Sequence, residues 1–135
     1  MYKKIMVAID GSETAQNALE EAENIANSYN AGLCIVHCIT GEEAADKAAG
    51  QALLEKSEES VNALSIETRL LEANIAYGTN GISDAIGDAV KDWGADLLVV
   101  GTANRRGLER FVVGSVAEQL VSLVESSILL VRPQK

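Results

Sequence analysis

The chain has 135 residues and a formal net charge of −9, with twenty acidic against eleven basic side chains, 47% hydrophobic and 23% charged residues. That length suits one domain spanning residues 1–135 with an ordinary core, and the apolar content excludes an intrinsically disordered chain. The acidic balance excludes a general nucleic-acid surface, which needs a basic face to displace counterions. The opening residues reach Asp10 after only five apolar residues, Ile5 to Ile9. That is too few for the core of a signal peptide, and no later run approaches membrane-spanning length, so the expectation is a cytoplasmic protein with no membrane insertion.

Lys3 to Ile9 reads as a first strand, closed by the turn residues Asp10, Gly11 and Ser12. Ser12 can cap the helix that follows, in which Ala15, Ala18, Leu19, Ala22, Ile25, Ala26 and Tyr29 recur at three and four. Asn30 and Gly32 end that helix. Leu33 to Ile39 is a continuous apolar run, as in a strand covered on both faces. A long second helix is expected from Ala45, Ala48, Ala49, Ala52, Leu53, Val61 and Leu64. Thr68 to Ile75 reads as a weaker strand, interrupted by Arg69 and Glu72 and therefore suited to a sheet edge. Tyr77 to Gly81 is a turn cluster, Ile82 to Trp93 a third helix stopped by Gly94, and Asp96 to Val100 a fourth strand. Val116 to Val124 reads as a fourth helix and Ser127 to Val131 as a last strand.

The order β-α-β-α-β-α-β-α-β means an α/β doubly wound parallel sheet of five strands with helices on both faces. If Ser127 to Val131 lies at an edge, it exposes unpaired backbone on an apolar, uncharged segment. Pairing with a second copy removes that exposure and predicts a homodimer through this strand; a covering C-terminal tail is the alternative.

The connection from Gly101 to Ser115 is longer than most strand-to-helix loops, and long loops of this kind are often functional. It holds Arg105, Arg106 and Arg110, three of the five arginines, at the strand ends where such sheets bind ligands. Gly101 and Gly114 let backbone N–H groups approach an anion, and Ser115 can cap the next helix and donate to phosphate. Arg105 and Arg106 can grip phosphates with their planar forks, or be solvated. Asp10, on the same rim, either accepts ribose or base hydrogen bonds or simply starts the first helix. His37 sits inside an apolar strand, the sequence suggests no carboxylate or nucleophile to work with it, and it reads as a core histidine bonded to backbone. Trp93 completes an apolar helix face. Cys34 and Cys38 lie roughly 13 Å apart at strand rise, beyond disulfide reach, and lack a zinc-type ligand set.

The segments Val7-Ala8-Ile9-Asp10-Gly11-Ser12 and Ile35-Val36-His37-Cys38-Ile39, with Gly101 to Ser115 followed by Val116-Ala117-Glu118, make the chain resemble the universal stress protein family over nearly its whole length. The resemblance implies a Rossmann-like, adenine nucleotide alpha hydrolase-like fold with strand order 3-2-1-4-5. The late motif of the family's nucleotide-binding branch is Gly, two residues, Gly, nine residues, Gly, then Ser or Thr. Gly101, Gly114 and Ser115 keep that register and, with Val116, look like the family's phosphate and ribose contacts. Asn104 stands where the second glycine is expected. Asparagine tolerates a left-handed backbone, so the loop can form, while its side chain takes up room beside the phosphates. By the same resemblance Ala8 and Asp10 border adenine and ribose, and the backbone of Cys38 meets the adenine edge.

The implied ligand is ATP, or AMP or ADP, with or without magnesium and with no tightly held structural metal. The implied role is a non-catalytic module in stress response or regulation, acting as a homodimer on a regulated protein partner. A nucleotide-independent dimeric interaction protein and a slow ATPase stay open beside it, although no P-loop Gly-Lys-Ser or Gly-Lys-Thr is present. A phosphoacceptor switch is set aside, because Asn74-Ile75-Ala76-Tyr77-Gly78 supplies no aspartate after the third strand.

Overall fold

The computed structural model describes residues 1–41, 43–73, 79–102 and 115–132. Its elements follow in chain order as β1 (Lys4–Ile9), α1 (Glu13–Tyr29), β2 (Gly32–Ile39), α2 (Ala44–Ser60), β3 (Ser65–Glu72), α3 (Thr79–Trp93), β4 (Leu97–Gly101), α4 (Ser115–Leu123) and β5 (Ser127–Val131). The strands form one parallel five-stranded sheet in the order β3-β2-β1-β4-β5. Alternate residues of each central strand point to opposite faces, and this divides the core in two. Ile5, Val7, Leu33, Ile35, Leu97 and Val99 pack with Ala18, Leu19 and Ala22 of α1 and Leu54 of α2. Met6, Cys34, Val36, Leu98 and Val100 pack with Ile86, Ala89 and Val90 of α3 and with Ala117 and Leu120 of α4. Two-sided burial is why β1, β2 and β4 read as continuous apolar runs.

Helix α1 forms as its sequence dictates. The Ser12 hydroxyl accepts from Ala15 N at 3.1 Å, and Asn30 closes the helix in the left-handed region at φ 54°. Its outer side also holds the α2–β3 connection: the Glu23 carboxylate accepts from Asn62 N at 2.6 Å and the Asn27 amide donates to Asn62 O at 2.9 Å. At the opposite end of the sheet from the loop after β4, the Asp96 carboxylate accepts from the Lys3 and Lys4 amides, and the Lys4 ammonium donates to Trp93 O at 2.9 Å. Trp93 itself is half-buried against the second core cluster, as its place on an apolar face implied.

Three elements differ from the sequence reading by more than one residue. Helix α2 ends at Ser60, with Val61 as an extended C-cap, so Val61 and Leu64 lie outside it and Leu64 is 78% exposed. Its alanines at 45, 48, 49 and 52 face outward, and Gly50, Leu54 and Ser57 are the buried positions. The reason is a close approach: a Cβ on Gly50 would stand 2.8 Å from Leu70 Cδ1 and 2.9 Å from Ile39 Cγ2. A helix can seat itself on its smallest residue, and exposed alanine costs little because its helix propensity is high. Strand β3 runs from Ser65 to Glu72 rather than from Thr68 to Ile75, since it pairs residue for residue with β2 from Gly32–Ser65 to Ile39–Glu72; residues 74 and 75 lie outside the described residues. It lies at the edge as expected, and Arg69 Nε donates to Glu67 Oε2 at 2.9 Å on its surface. Finally, the turn cluster at 77–81 is helical from Thr79 onward; residues 77 and 78 lie outside the described residues.

Candidate functional site

The chain winds outward from β1 in one direction through β2 to β3, then returns to the other side of β1 to lay down β4 and β5. The topological switch therefore falls between β1 and β4, and open sheets of this kind take ligands there, beyond the carboxyl ends of the strands. The strand registers decide what meets there. Ala8 is level with Val36 and Val100, Ile9 is level with His37, and Gly101 is level with Val131. Ala8, Asp10, Cys38 and Gly101 are thus gathered on the rim of three adjacent strands.

Past Ile9 the chain turns sharply. Asp10 is exposed, Gly11 takes φ +84°, and the Asp10 Oδ1 atom accepts from Ser12 N at 2.9 Å. Asp10 therefore does serve the helix start, with its side chain exposed just past the end of β1. On the neighbouring strand, Gly101 ends β4 directly against the first turn of α1. A Cβ there would lie 2.9 Å from Thr14 Cγ2 and 3.1 Å from the Thr14 carbonyl carbon and oxygen. The next residue, Thr102, is buried and donates through both its amide (2.9 Å) and its hydroxyl (3.3 Å) to Val131 O. The departure of the long loop is thus held by α1 on one side and β5 on the other. Thr14 is 1% exposed, and its Oγ1 has no hydrogen-bond partner among the described residues.

Cys38 is half-buried, its strand position paired with Leu71, and burial pushes its thiol up to about 11. Cys34 is buried, and burial, reinforced by the neighbouring Glu67 carboxylate, raises its thiol to about 12. Both are free, as their spacing required, and neither is a ready nucleophile at neutral pH. His37 is half-buried with Nδ1 2.8 Å from Ile9 O, the backbone-bonded histidine that its surroundings suggested. On the far side of the loop, α4 begins at Ser115, and Val116 is half-buried against the second core cluster. Asn104, Arg105, Arg106 and Gly114 lie outside the described residues. Among the described residues no group of three or more His, Cys, Asp or Glu side chains is gathered to hold a metal ion.

Sequence reasoning passed over Thr14 and Thr102, the two residues that fix where the loop leaves the sheet. A threonine immediately after a strand-ending glycine was the available signal for the second; the first depends on a contact between elements far apart in sequence.

The family profile described as "Universal stress protein family" matches residues 1–132. The chain belongs to this family. A putative universal stress protein of Staphylococcus epidermidis is 30% identical over 99% of this chain and 86% of its own length. Among solved structures, a universal stress protein described as in complex with cAMP superposes with a TM-score of 0.74 at 26% identity, covering 98% of each chain. A universal stress protein of Archaeoglobus fulgidus, described as in complex with dAMP, superposes with a TM-score of 0.72, covering 96% of this chain and 98% of its own; at 21% identity it speaks for the fold. The sheet order of universal stress proteins expected from the sequence is the one observed. Among the described residues no helix is long and apolar enough to cross a membrane.

Proposed function

We propose that this universal stress protein is a non-catalytic, cytoplasmic module that binds an adenine nucleotide, ATP in the first place, in the crevice between β1 and β4. The observation that carries the reading is Asp10, an exposed carboxylate held by its own turn beside the topological switch point of the sheet. A carboxylate there suits ribose hydroxyls, and the relative described as in complex with cAMP supports an adenine nucleotide as the ligand. The backbone of Cys38 would meet the adenine edge and Ala8 would border the base. Gly101, Asn104, Gly114, Ser115 and Val116 would surround the phosphates, with Arg105 and Arg106 supplying charge. The bound nucleotide supplies no chemistry in this reading. It changes the affinity of the protein for a regulated partner, which requires the two states to bind that partner differently.

Homodimerisation through β5 is the second part of the proposal. The strand ends the sheet with one edge unpaired in the described chain, and α4, which runs straight into it, exposes Val121 and Leu123. An apolar edge of this kind calls for a partner strand.

Calorimetry on nucleotide-free protein with cAMP, AMP, ADP and ATP tests the first part. Saturable binding of at least one of them, weakened roughly tenfold by Asp10→Ala as expected for loss of a charged hydrogen-bond acceptor, supports it. Absence of binding by all four at millimolar concentration overturns it.

A further inference from the structure

We infer that His37 is a positioning residue for the crevice, setting both strand exits that the adenosine portion of a nucleotide would touch. The inference rests on the nucleotide-binding reading above.

The sheet loses its grip on β1 just where the site begins. Pairing between β1 and β4 ends at Ala8–Val100, while pairing between β1 and β2 continues one residue further, to Ile9–His37. Beyond that pair β1 turns out of the sheet through Asp10 and Gly11. At this last pair a side chain joins the two strands, with His37 Nδ1 2.8 Å from the Ile9 carbonyl oxygen. A carbonyl only accepts, so Nδ1 carries the proton and donates. The peptide whose oxygen is held is the one that leads into Asp10.

The ring has a second restraint. A Cβ on Gly50 of α2 would come 3.4 Å from His37 Cδ2, so the helix backbone closes over the opposite edge of the imidazole. The ring thus lies between the Ile9 carbonyl and α2. Its own backbone leads directly into Cys38. One side chain therefore sets the Ile9–Asp10 peptide on β1 and the approach to Cys38 on β2. Without it, the next side-chain hydrogen bond along the β1 exit among the described residues is the one from Ser12 N to Asp10 Oδ1. Side chains that fix a binding constellation from behind are as necessary to its geometry as those that touch the ligand.

Asparagine places an amide N–H near the position of Nδ1, whereas leucine fills space and donates nothing. The test compares wild type, His37→Asn and His37→Leu by three measurements. Nitrogen-15 NMR of the wild-type imidazole reads the neutral tautomer, expected as Nδ1–H. Amide shifts report on Asp10, Gly11, Ser12 and Cys38, and are expected to move in His37→Leu and to return toward wild type in His37→Asn. Calorimetry with ATP is expected to give an affinity about tenfold weaker for His37→Leu, the equivalent of one neutral hydrogen bond, and within about twofold of wild type for His37→Asn. An Nε2–H tautomer overturns the inference even if the leucine variant fails to fold. Wild-type ATP affinity in a folded His37→Leu overturns it while leaving the nucleotide reading intact. If wild type binds another of the four nucleotides and not ATP, the same affinity comparison is read with that nucleotide, and failure to bind any of the four removes the nucleotide reading and the positioning role together.

Discussion

Gly101 is the motif glycine whose surroundings are described, and the structure gives it a task that involves no ligand. Replacing it by alanine adds a methyl group 2.9 Å from Thr14 Cγ2 and 3.1 Å from the Thr14 carbonyl group. Ordinary carbon contacts lie near 3.5–4.0 Å, so either α1 or the end of β4 must move. Neither moves easily. The contacted atoms are a β-branched methyl, stiff at χ1, and helix backbone whose own start is fixed by the Ser12 cap. Overpacking by one methyl costs about 1–3 kcal/mol, and reduced freedom of the unfolded chain returns about 0.4–1 kcal/mol. The net expectation is a loss of about 1–2 kcal/mol, or roughly 4–8 °C in Tm for a domain of this size. Urea denaturation of wild type, Gly101→Ala, Thr14→Ser and the double variant measures it. Serine removes the Cγ2 methyl, so the double variant should recover part of the loss and show a coupling above about 0.5 kcal/mol. A Gly101→Ala protein within about 0.5 kcal/mol of wild type, or one whose loss is unchanged in the Thr14→Ser background, would refute the reasoning.

Two further outcomes follow from other parts of the molecule. Val121→Glu with Leu123→Glu places charge on two exposed side chains of α4, so on the proposed β5 dimer folding should be kept while sedimentation shifts from dimer to monomer; a monomeric wild type, or a dimer that the charges leave unchanged, would contradict that interface. Alkaline pH should destabilise the fold through its thiols, because burial raises Cys34 from 9.0 to about 12 and Cys38 from 9.0 to about 11. Above pH 9 the unfolded chain has released protons that the folded chain still holds, so stability falls as pH rises. The urea midpoint should drop less steeply above pH 9 in a Cys34→Ala, Cys38→Ala protein, and equal slopes would contradict the assignment.

Most of the architecture was legible because the signals were local. The alternation of apolar runs with helical stripes fixed the parallel class, and a serine ahead of a periodic stripe marked the start of α1. Where legibility failed, the deciding contact was between distant segments. Helix α2 shows this most clearly: its alanine periodicity points one way, and the helix instead rests on Gly50, because β2 and β3 offer room there for a backbone and not for a side chain. The start of β3 was missed for the same kind of reason. Its bounds come from pairing with β2, which can recruit Ser65 and Glu67 into a strand that composition alone would not propose.

The site divides along the same line. Asp10 and Gly101 were readable as site candidates from their places at strand ends, yet both have structural duties that the motif does not reveal: one starts α1, the other makes room for it. This double use bears on how such motifs are interpreted. A glycine required by Thr14 would be retained whether or not a phosphate ever binds, so its presence alone cannot separate a nucleotide-binding chain from an empty one. Asp10→Ala is informative for the opposite reason. The cap on α1 comes from the Ser12 hydroxyl to Ala15 N, a bond that does not pass through Asp10. Losing the Asp10 turn should therefore cost only about 0.5–1.5 kcal/mol of stability. A binding defect that outlasts correction for folding then belongs to the carboxylate at the crevice mouth, and one that vanishes on correction belongs to the helix start.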